Sequence, residues 1–318
     1  MTELQTRFIE TFGLGSDKEK QKAVFETDGP TLIIAGPGTG KTYTLVLRTL
    51  YLILSGKAKP PEIVLTTFTE KSAFELRDRL SLFSKRLGEK INLHELITGT
   101  IHGICDNFNN TFIKQTPLKK NYSVLDDLTC SLFINEHFEA IIEPFHVGEK
   151  YFGRWKGKWD TIGRIKYFYD KITEEIINPD DLIRSTDDFL KQLGESYKCY
   201  RDLLFKNNRV DFSFQQRIFY DLLQNKTTRN KIAGKIKYML IDEYQDTNYI
   251  QEQIALILVK PHNNITVVGD EDQALYRFRG ATVRNILEFE THFKKCRRIK
   301  LLENFRSHKT IIDRKSVV

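Results

Sequence analysis

The 318-residue sequence predicts an α/β fold, a parallel sheet flanked by helices with a mainly helical subdomain inserted into it. Three features carry that prediction. A short apolar run, Leu32-Ile33-Ile34-Ala35, leads into a glycine-rich stretch and then into residues of helical character from Thr42 to Leu54. Two later apolar runs, Tyr238 to Ile241 and Ile265 to Val268, each end in acidic residues. From about Pro117 to Asn207 such runs disappear, and aromatic and charged residues take their place, with helical spacing at Leu128, Leu132 and Phe133.

Taken in order, Leu32–Ala35 is a buried strand, because a short apolar run bounded by glycines has nowhere to be solvated. Ile63-Val64-Leu65-Thr66 is the second strand, followed by a charged, helical segment from Glu70 to Arg86. Tyr238–Ile241 and Ile265–Val268 are two more. Strands that alternate with helices in this way form a parallel sheet covered on both faces.

The bulk composition narrows the class. Hydrophobic residues at 40% and charged residues at 29% describe a globular chain, and the length allows two domains. An excess of 49 Lys and Arg over 42 Asp and Glu gives a net charge of +7, a mild pointer to a polyanionic partner. Cys105, Cys130, Cys199 and Cys296 lie far apart with no Cys-x-x-Cys pair. That pattern suggests neither a zinc site nor a disulfide framework, and reduced thiols in a cytoplasmic protein are expected. The N-terminus has early acids (Glu3, Glu10) and no apolar core of a signal peptide. The longest apolar stretch, Thr44 to Leu54, is broken by Arg48, so no membrane association is expected.

The chemistry lies at two places. Ala35-Gly36-Pro37-Gly38-Thr39-Gly40-Lys41-Thr42 is a phosphate-binding loop in which Ala35 replaces the first glycine of the strict pattern. Its glycines let backbone N–H groups turn inward onto phosphate oxygens, assisted by the positive end of the following helix. Lys41 would reach the β- and γ-phosphates of ATP, and Thr42 would ligate Mg²⁺. Tyr43, next in the chain, is counted with the nucleotide-binding residues. Asp242 and Glu243 close the run Tyr238–Ile241, which places both at the carboxyl end of a strand, where open α/β sheets bind ligands. Asp242 would hold the magnesium, and Glu243 would accept a proton from the attacking water.

These segments and several others resemble, in order, the motifs of superfamily 1 DNA helicases of the UvrD/Rep type. Glu19-Lys20-Gln21-Lys22-Ala23-Val24 is similar to the segment whose glutamine, here Gln21, reads adenine. Thr66-Thr67-Phe68-Thr69-Glu70-Lys71-Ser72-Ala73 and Gly99-Thr100-Ile101-His102-Gly103 resemble two single-strand contact segments. Asp242-Glu243-Tyr244-Gln245-Asp246-Thr247-Asn248 is nearly a signature of the family by itself. Val268-Gly269-Asp270-Glu271-Asp272-Gln273-Ala274-Leu275-Tyr276-Arg277-Phe278-Arg279-Gly280-Ala281 and Leu302-Glu303-Asn304-Phe305-Arg306-Ser307 match two further motifs.

The resemblance implies a RecA-like P-loop NTPase that couples ATP hydrolysis to 3′-to-5′ movement on single-stranded DNA and to unwinding at DNA junctions. Under it, Gln273 touches the γ-phosphate and Arg306 acts as an arginine finger on the transferring phosphoryl group. Phe305 stacks on adenine where relatives usually carry Tyr. Phe68, His102, Tyr276 and Phe278 offer faces or edges to unstacked bases, and Arg279 offers a cation. Phe278 stands where many relatives have Trp, so weaker stacking is expected there.

The expected division is residues 1–116 and 208–297 as two parts of one motor domain, 117–207 as the helical insertion, and 298–318 as the start of a second motor domain. Since the family builds its cleft from two such domains, residues 1–318 are expected to be a fragment deficient in unwinding. Within the insertion, Tyr151 to Trp159 interleaves both tryptophans with basic residues. Packing of those rings into the insertion's own core is favoured over a strand-binding face. Two other functions stay open on sequence alone: the motor arm of a helicase–nuclease, and a non-motor, ATP-gated single-strand binder.

Overall fold

A computed structural model describes residues 1–270 and 283–305. The described chain forms two compact units. The first comprises Met1–Ile104, Lys226–Asn248 and the described residues from Glu252 onward; the second comprises Cys105–Asn225 with Tyr249–Gln251.

Ten strands are described: β1 (Thr31–Ala35), β2 (Ile63–Thr67), β3 (Ile97–Thr100), β4 (Ser123–Leu125), β5 (His146–Val147), β6 (Lys150–Tyr151), β7 (Arg209–Asp211), β8 (Tyr238–Ile241), β9 (Ile265–Gly269) and β10 (Arg297–Leu301). The first unit holds a six-stranded sheet in the order β10-β1-β9-β8-β2-β3, parallel throughout. The central strands β2, β8 and β9 are buried at every position, as strands covered on both faces must be.

The helix Lys41–Leu54 shows how the sequence enforces this layer. Every residue from Thr44 to Leu52 is buried, so this stretch of the helix is covered around its whole circumference and lies inside the unit rather than on its surface. Each fully buried Leu or Val there contributes about 1.5–3 kcal/mol. Arg48, which interrupts the apolar run, is itself fully buried and spends its guanidinium on the chain before β1. It donates to the carbonyls of Ala23 at 2.6 Å and Thr27 at 3.0 Å. Burial, then the nearby Arg297 charge, push its pKa down to about 9. The phosphate-loop helix is thereby tied to the end of the helix Lys18–Phe25 that carries Gln21. The helix Glu70–Arg86 starts where Thr69 caps it, its hydroxyl accepting the Ser72 N–H at 3.1 Å.

The second unit packs the helices Asp127–Glu136, Lys158–Glu174, Asp188–Lys206 and Phe212–Gln224 around a core that includes Phe133, Ile165, Tyr169, Tyr200 and Phe214. It reaches beyond the expected 117–207 at both ends. One short sheet accounts for part of that: β4 pairs in parallel with β7, bringing residues 123–125 to 209–211; within the expected range β5 pairs with β6 as a hairpin. Phe152 and Trp155 pack inward, Trp155 edge-on to Phe189 at 5.7 Å, with the Arg154 guanidinium 3.8 Å from the centroid of the Phe189 ring. Trp159 stays 57% exposed. No disulfide forms among the four cysteines. Among the described residues no helix is long and apolar enough to cross a membrane.

Candidate active site at the carboxyl edge of the sheet

The loop after β1 is shaped by glycine. Gly38 and Gly40 have φ of +77° and +89°, a backbone region that side chains rarely adopt. Thr39 closes the turn by donating its hydroxyl to the Gly36 carbonyl at 2.8 Å. The helix starts at Lys41 with no side-chain cap, so its first N–H groups stay available to an anion.

Opposite the loop, β8 delivers two acids. The Asp242 N–H donates to the Thr66 carbonyl at 2.8 Å, continuing the ladder with β2 by one residue. Glu243 then turns into the left-handed region at φ +51°, uncommon for a residue with a side chain. That turn aims its carboxylate back at the loop. Lys41 Nζ and Glu243 Oε2 lie 3.0 Å apart, and the Thr42 hydroxyl donates to Asp242 Oδ2 at 2.7 Å. Four residues expected to serve one reaction therefore meet in two contacts that join β1 to β8 across β9.

Gln245, to which the sequence assigns no role, extends the contact. Its Nε2 donates to Glu243 Oε2 at 2.7 Å, and its Oε1 accepts the Asp270 N–H at 3.1 Å. The end of β9 is thus wired to the acid beside Lys41. Gly269 makes room for this, since a Cβ there would stand 2.8 Å from Gln245 Oε1 and 2.7 Å from Ile286 Cδ1. The only sequence signal for Gln245 is its place in the string with Asp242 and Glu243.

The donor set fits a hard divalent cation. Thr42 and Asp242 supply oxygens already within hydrogen-bond distance of each other, and Asp246 Oδ1 is buried with no hydrogen-bond partner among the described residues. Burial, then the Glu243 charge, push the pKa of Asp242 up to about 6, and the same two causes bring Asp246 to about 6. A cation would relieve both. Among the described residues no group of three or more His, Cys, Asp or Glu is arranged to hold a metal. Magnesium here would complete its shell with phosphate and water oxygens.

Of the residues expected to meet the base, Gln21 donates its Nε2 to the carbonyls of Leu14 at 2.7 Å and Gly15 at 3.3 Å. Phe305 is brought to the loop by its backbone N–H, which donates to the Gly38 carbonyl at 2.9 Å. Tyr43 sits elsewhere: its ring packs edge-on to Phe12 and Phe83, and its hydroxyl donates to the Phe12 carbonyl at 3.0 Å.

Of the expected DNA contacts, Phe68 follows β2 and is half-buried, and His102 lies half-buried in the first turn of the helix Ile101–Thr111. Their two segments are joined, because the Thr100 hydroxyl donates to Glu70 Oε1 at 2.6 Å and accepts the Gly103 N–H at 3.1 Å. Gln273, Tyr276, Phe278, Arg279 and Arg306 lie outside the described residues. Burial pushes the His102 pKa down to about 4, against a smaller opposing effect of Glu70. Its folded pKa is below the unfolded one, so the unfolded chain binds the extra proton between about pH 6.5 and 4, and stability is lost as pH falls through that window. Thermal melts at a series of pH values check this: His102→Asn is expected to flatten the acid-side decline, and an unchanged decline would rule His102 out as its source.

A phosphate loop between a parallel strand and a helix, facing paired acids on the strand two places across the sheet, defines a RecA-like P-loop nucleotide-binding domain. The chain belongs to the UvrD/REP helicase N-terminal domain family, whose model matches residues 16–294. It is 30% identical to the ATP-dependent DNA helicase SRS2 of Saccharomyces cerevisiae over 95% of this chain and 26% of that protein. It is 30% identical to the ATP-dependent DNA helicase PcrA of Staphylococcus epidermidis over 93% of this chain and 39% of that protein. A probable DNA helicase II homolog of Mycoplasma capricolum is 31% identical over 92% of this chain and 39% of its own length. The chain thus spans between about a quarter and two fifths of these curated relatives.

Proposed function

We propose that this chain is the ATP-binding motor unit of an ATP-dependent 3′-to-5′ DNA helicase and single-strand translocase, acting in the cytoplasm on single-stranded DNA and DNA junctions. The observation that carries the proposal is the meeting of Lys41 with Glu243 and of Thr42 with Asp242. In this arrangement Glu243 serves as the counter-ion of Lys41. An incoming γ-phosphate would take over Lys41, leaving Glu243, still oriented by Gln245, to accept a proton from the attacking water. Bound Mg²⁺, held by Thr42 and Asp242, would neutralise charge on the β- and γ-phosphate oxygens.

Gln245 also offers a path for the coupling to DNA. It links Glu243 to the backbone of Asp270, directly before the segment that carries Gln273, Tyr276, Phe278 and Arg279. Arg306 would complete the charge stabilisation as an arginine finger. Phe68 and His102, braced by Thr100 and Glu70, would hold one stretch of strand. Because the chain spans a minor part of its relatives, residues 1–318 alone are proposed to bind nucleotide, hydrolyse it slowly and unwind poorly.

The test is ATP binding and hydrolysis by this chain with and without single-stranded DNA, alongside Lys41→Ala. Nucleotide binding that falls more than tenfold in Lys41→Ala, with slow turnover in the parent, is the expected result. Equal binding by parent and variant would sink the site assignment. Robust strand separation by residues 1–318 would refute the proposed insufficiency.

A further inference from the structure

Lys20 is a buried lysine, 4% exposed, that neither the phosphate loop nor the paired acids account for. Asp17 holds it at both ends. Asp17 Oδ1 accepts the Lys20 backbone N–H at 2.8 Å, capping the helix Lys18–Phe25, and Oδ2 pairs with Lys20 Nζ at 3.0 Å. A buried ammonium has three donors, and one carboxylate satisfies only part of that capacity. The rest of Lys20 faces the site. Its Nζ lies 4.0 Å from the centroid of the Phe305 ring, and its Cε lies 4.0 Å from where a Cβ on Gly40 would stand. The stem therefore runs along the phosphate loop at the residue before Lys41.

Phe305 is fixed over the loop from its own side as well. Its N–H donates to the Gly38 carbonyl at 2.9 Å, and the neighbouring Asn304 Nδ2 donates to the Pro37 carbonyl at 2.8 Å. The ammonium covers one ring face, yet the residue remains 65% exposed, so the opposite face is open.

We propose that Lys20, anchored by Asp17, is a base-clamping residue that holds Phe305 so that its open face stacks on the purine of a bound nucleoside triphosphate. The inference rests on the ATP-site reading above. A cation on one face of an aromatic ring draws π-electron density toward itself, which lowers the repulsion a second π-system meets on the other face. A ligand with a purine gains from the clamp, and a bare triphosphate chain does not.

The experiment is a set of equilibrium titrations of the full chain with ATP and with inorganic tripolyphosphate. It compares the parent, Lys20→Met, Phe305→Ala and the double variant. Lys20→Met is expected to weaken ATP binding about fivefold, which corresponds to ~1 kcal/mol, and to leave tripolyphosphate binding unchanged. On the Phe305→Ala background it is expected to cost nothing further, and Lys20→Arg is expected to retain affinity. If Lys20→Met loses its cooperative melt, Asp17→Asn, which keeps a capping side chain while releasing the ammonium, carries the same comparison. An equal loss for both ligands, or the same loss with and without the Phe305 ring, overturns the clamp alone. A parent chain that binds no ATP overturns the nucleotide reading and the clamp with it.

Discussion

Replacing Glu243 by Gln is expected to slow ATP hydrolysis by about 10²–10⁴-fold, the usual worth of a positioned general base, while leaving nucleotide affinity unchanged or raised. The geometry separates the two effects. The amide of the Glu243→Gln variant would still present a carbonyl oxygen to Gln245 Nε2, which in the parent lies 2.7 Å from Glu243 Oε2. Amide and carboxylate have the same reach, so the turn at φ +51° is kept. What disappears is the negative charge. Without it nothing takes the proton from water, and Lys41 loses the carboxylate that stands 3.0 Å from it before phosphate arrives. Phosphate then no longer competes with Glu243 for the ammonium. Single-turnover hydrolysis of radiolabelled ATP, countable even when slow, read beside a nucleotide titration, checks both halves. Turnover within threefold of the parent would remove Glu243 from the role of base, and a large drop in affinity would show that its work is structural.

How much of this is legible in the sequence depends on the range over which each feature is decided. The four strands β1, β2, β8 and β9 are short apolar runs, and their burial follows from their own residues. β10 and β3 are harder to read. In β10, Arg298 and Lys300 point outward at exposed positions while Ile299 and Leu301 are buried, so a half-covered edge strand reads locally as a charged segment. β3 is only Ile97-Thr98-Gly99-Thr100, and a glycine inside four residues hides its strand character. The extent of the second unit is obscured for a different reason. Pairing of β4 with β7 depends on tertiary closure, and neither Ser123–Leu125 nor Arg209–Asp211 announces it alone.

The site shows the same division. The residue types of the phosphate loop and of the acids after β8 are readable because the chemistry restricts them. The contacts that organise them arise only when the sheet brings β1, β9 and β8 side by side. Arg48 and Lys20 carry no signature of their roles, and Gln245 carries only its place after Glu243, because the contacts to Asp270, Phe305 and the Ala23 and Thr27 carbonyls that define those roles are distant in the chain and leave no pattern in sequence. The rings at Phe152 and Trp155 illustrate the reverse case. Interleaved with basic residues they suggest a binding face, yet packing against Phe189 claims them, with Arg154 lying over that ring.

The second large effect is expected in the second unit, at Lys166. Its ammonium lies 2.5 Å from Asp170 Oδ1 and 3.7 Å from Asp211 Oδ2. Burial works against its charge, but the Asp211 and Asp170 carboxylates overcome that and hold its pKa above the ordinary value. Asp211 is already committed elsewhere, capping the helix Phe212–Gln224 through the Phe214 N–H at 2.8 Å and accepting the Tyr200 hydroxyl at 2.8 Å. The Ser213 hydroxyl lies 2.9 Å from an oxygen of each acid and can donate its one proton to either. Lys166→Met would fill the space but leave the buried Asp211 and the partly buried Asp170 facing each other without a cation, and breaking a buried pair costs about 3–5 kcal/mol. The pH dependence identifies the cause. Burial raises the pKa of Asp170 in the folded chain, and removing Lys166 raises it further, so the folded variant binds more protons than the unfolded chain. Stability of the variant is therefore lost as pH rises through the carboxylate range and regained on acidification. Urea titrations at pH 7 and pH 5 should show a deficit that shrinks at the lower pH. A loss of the same size at both would mean that packing of the Lys166 stem, and not its charge, holds these helices together.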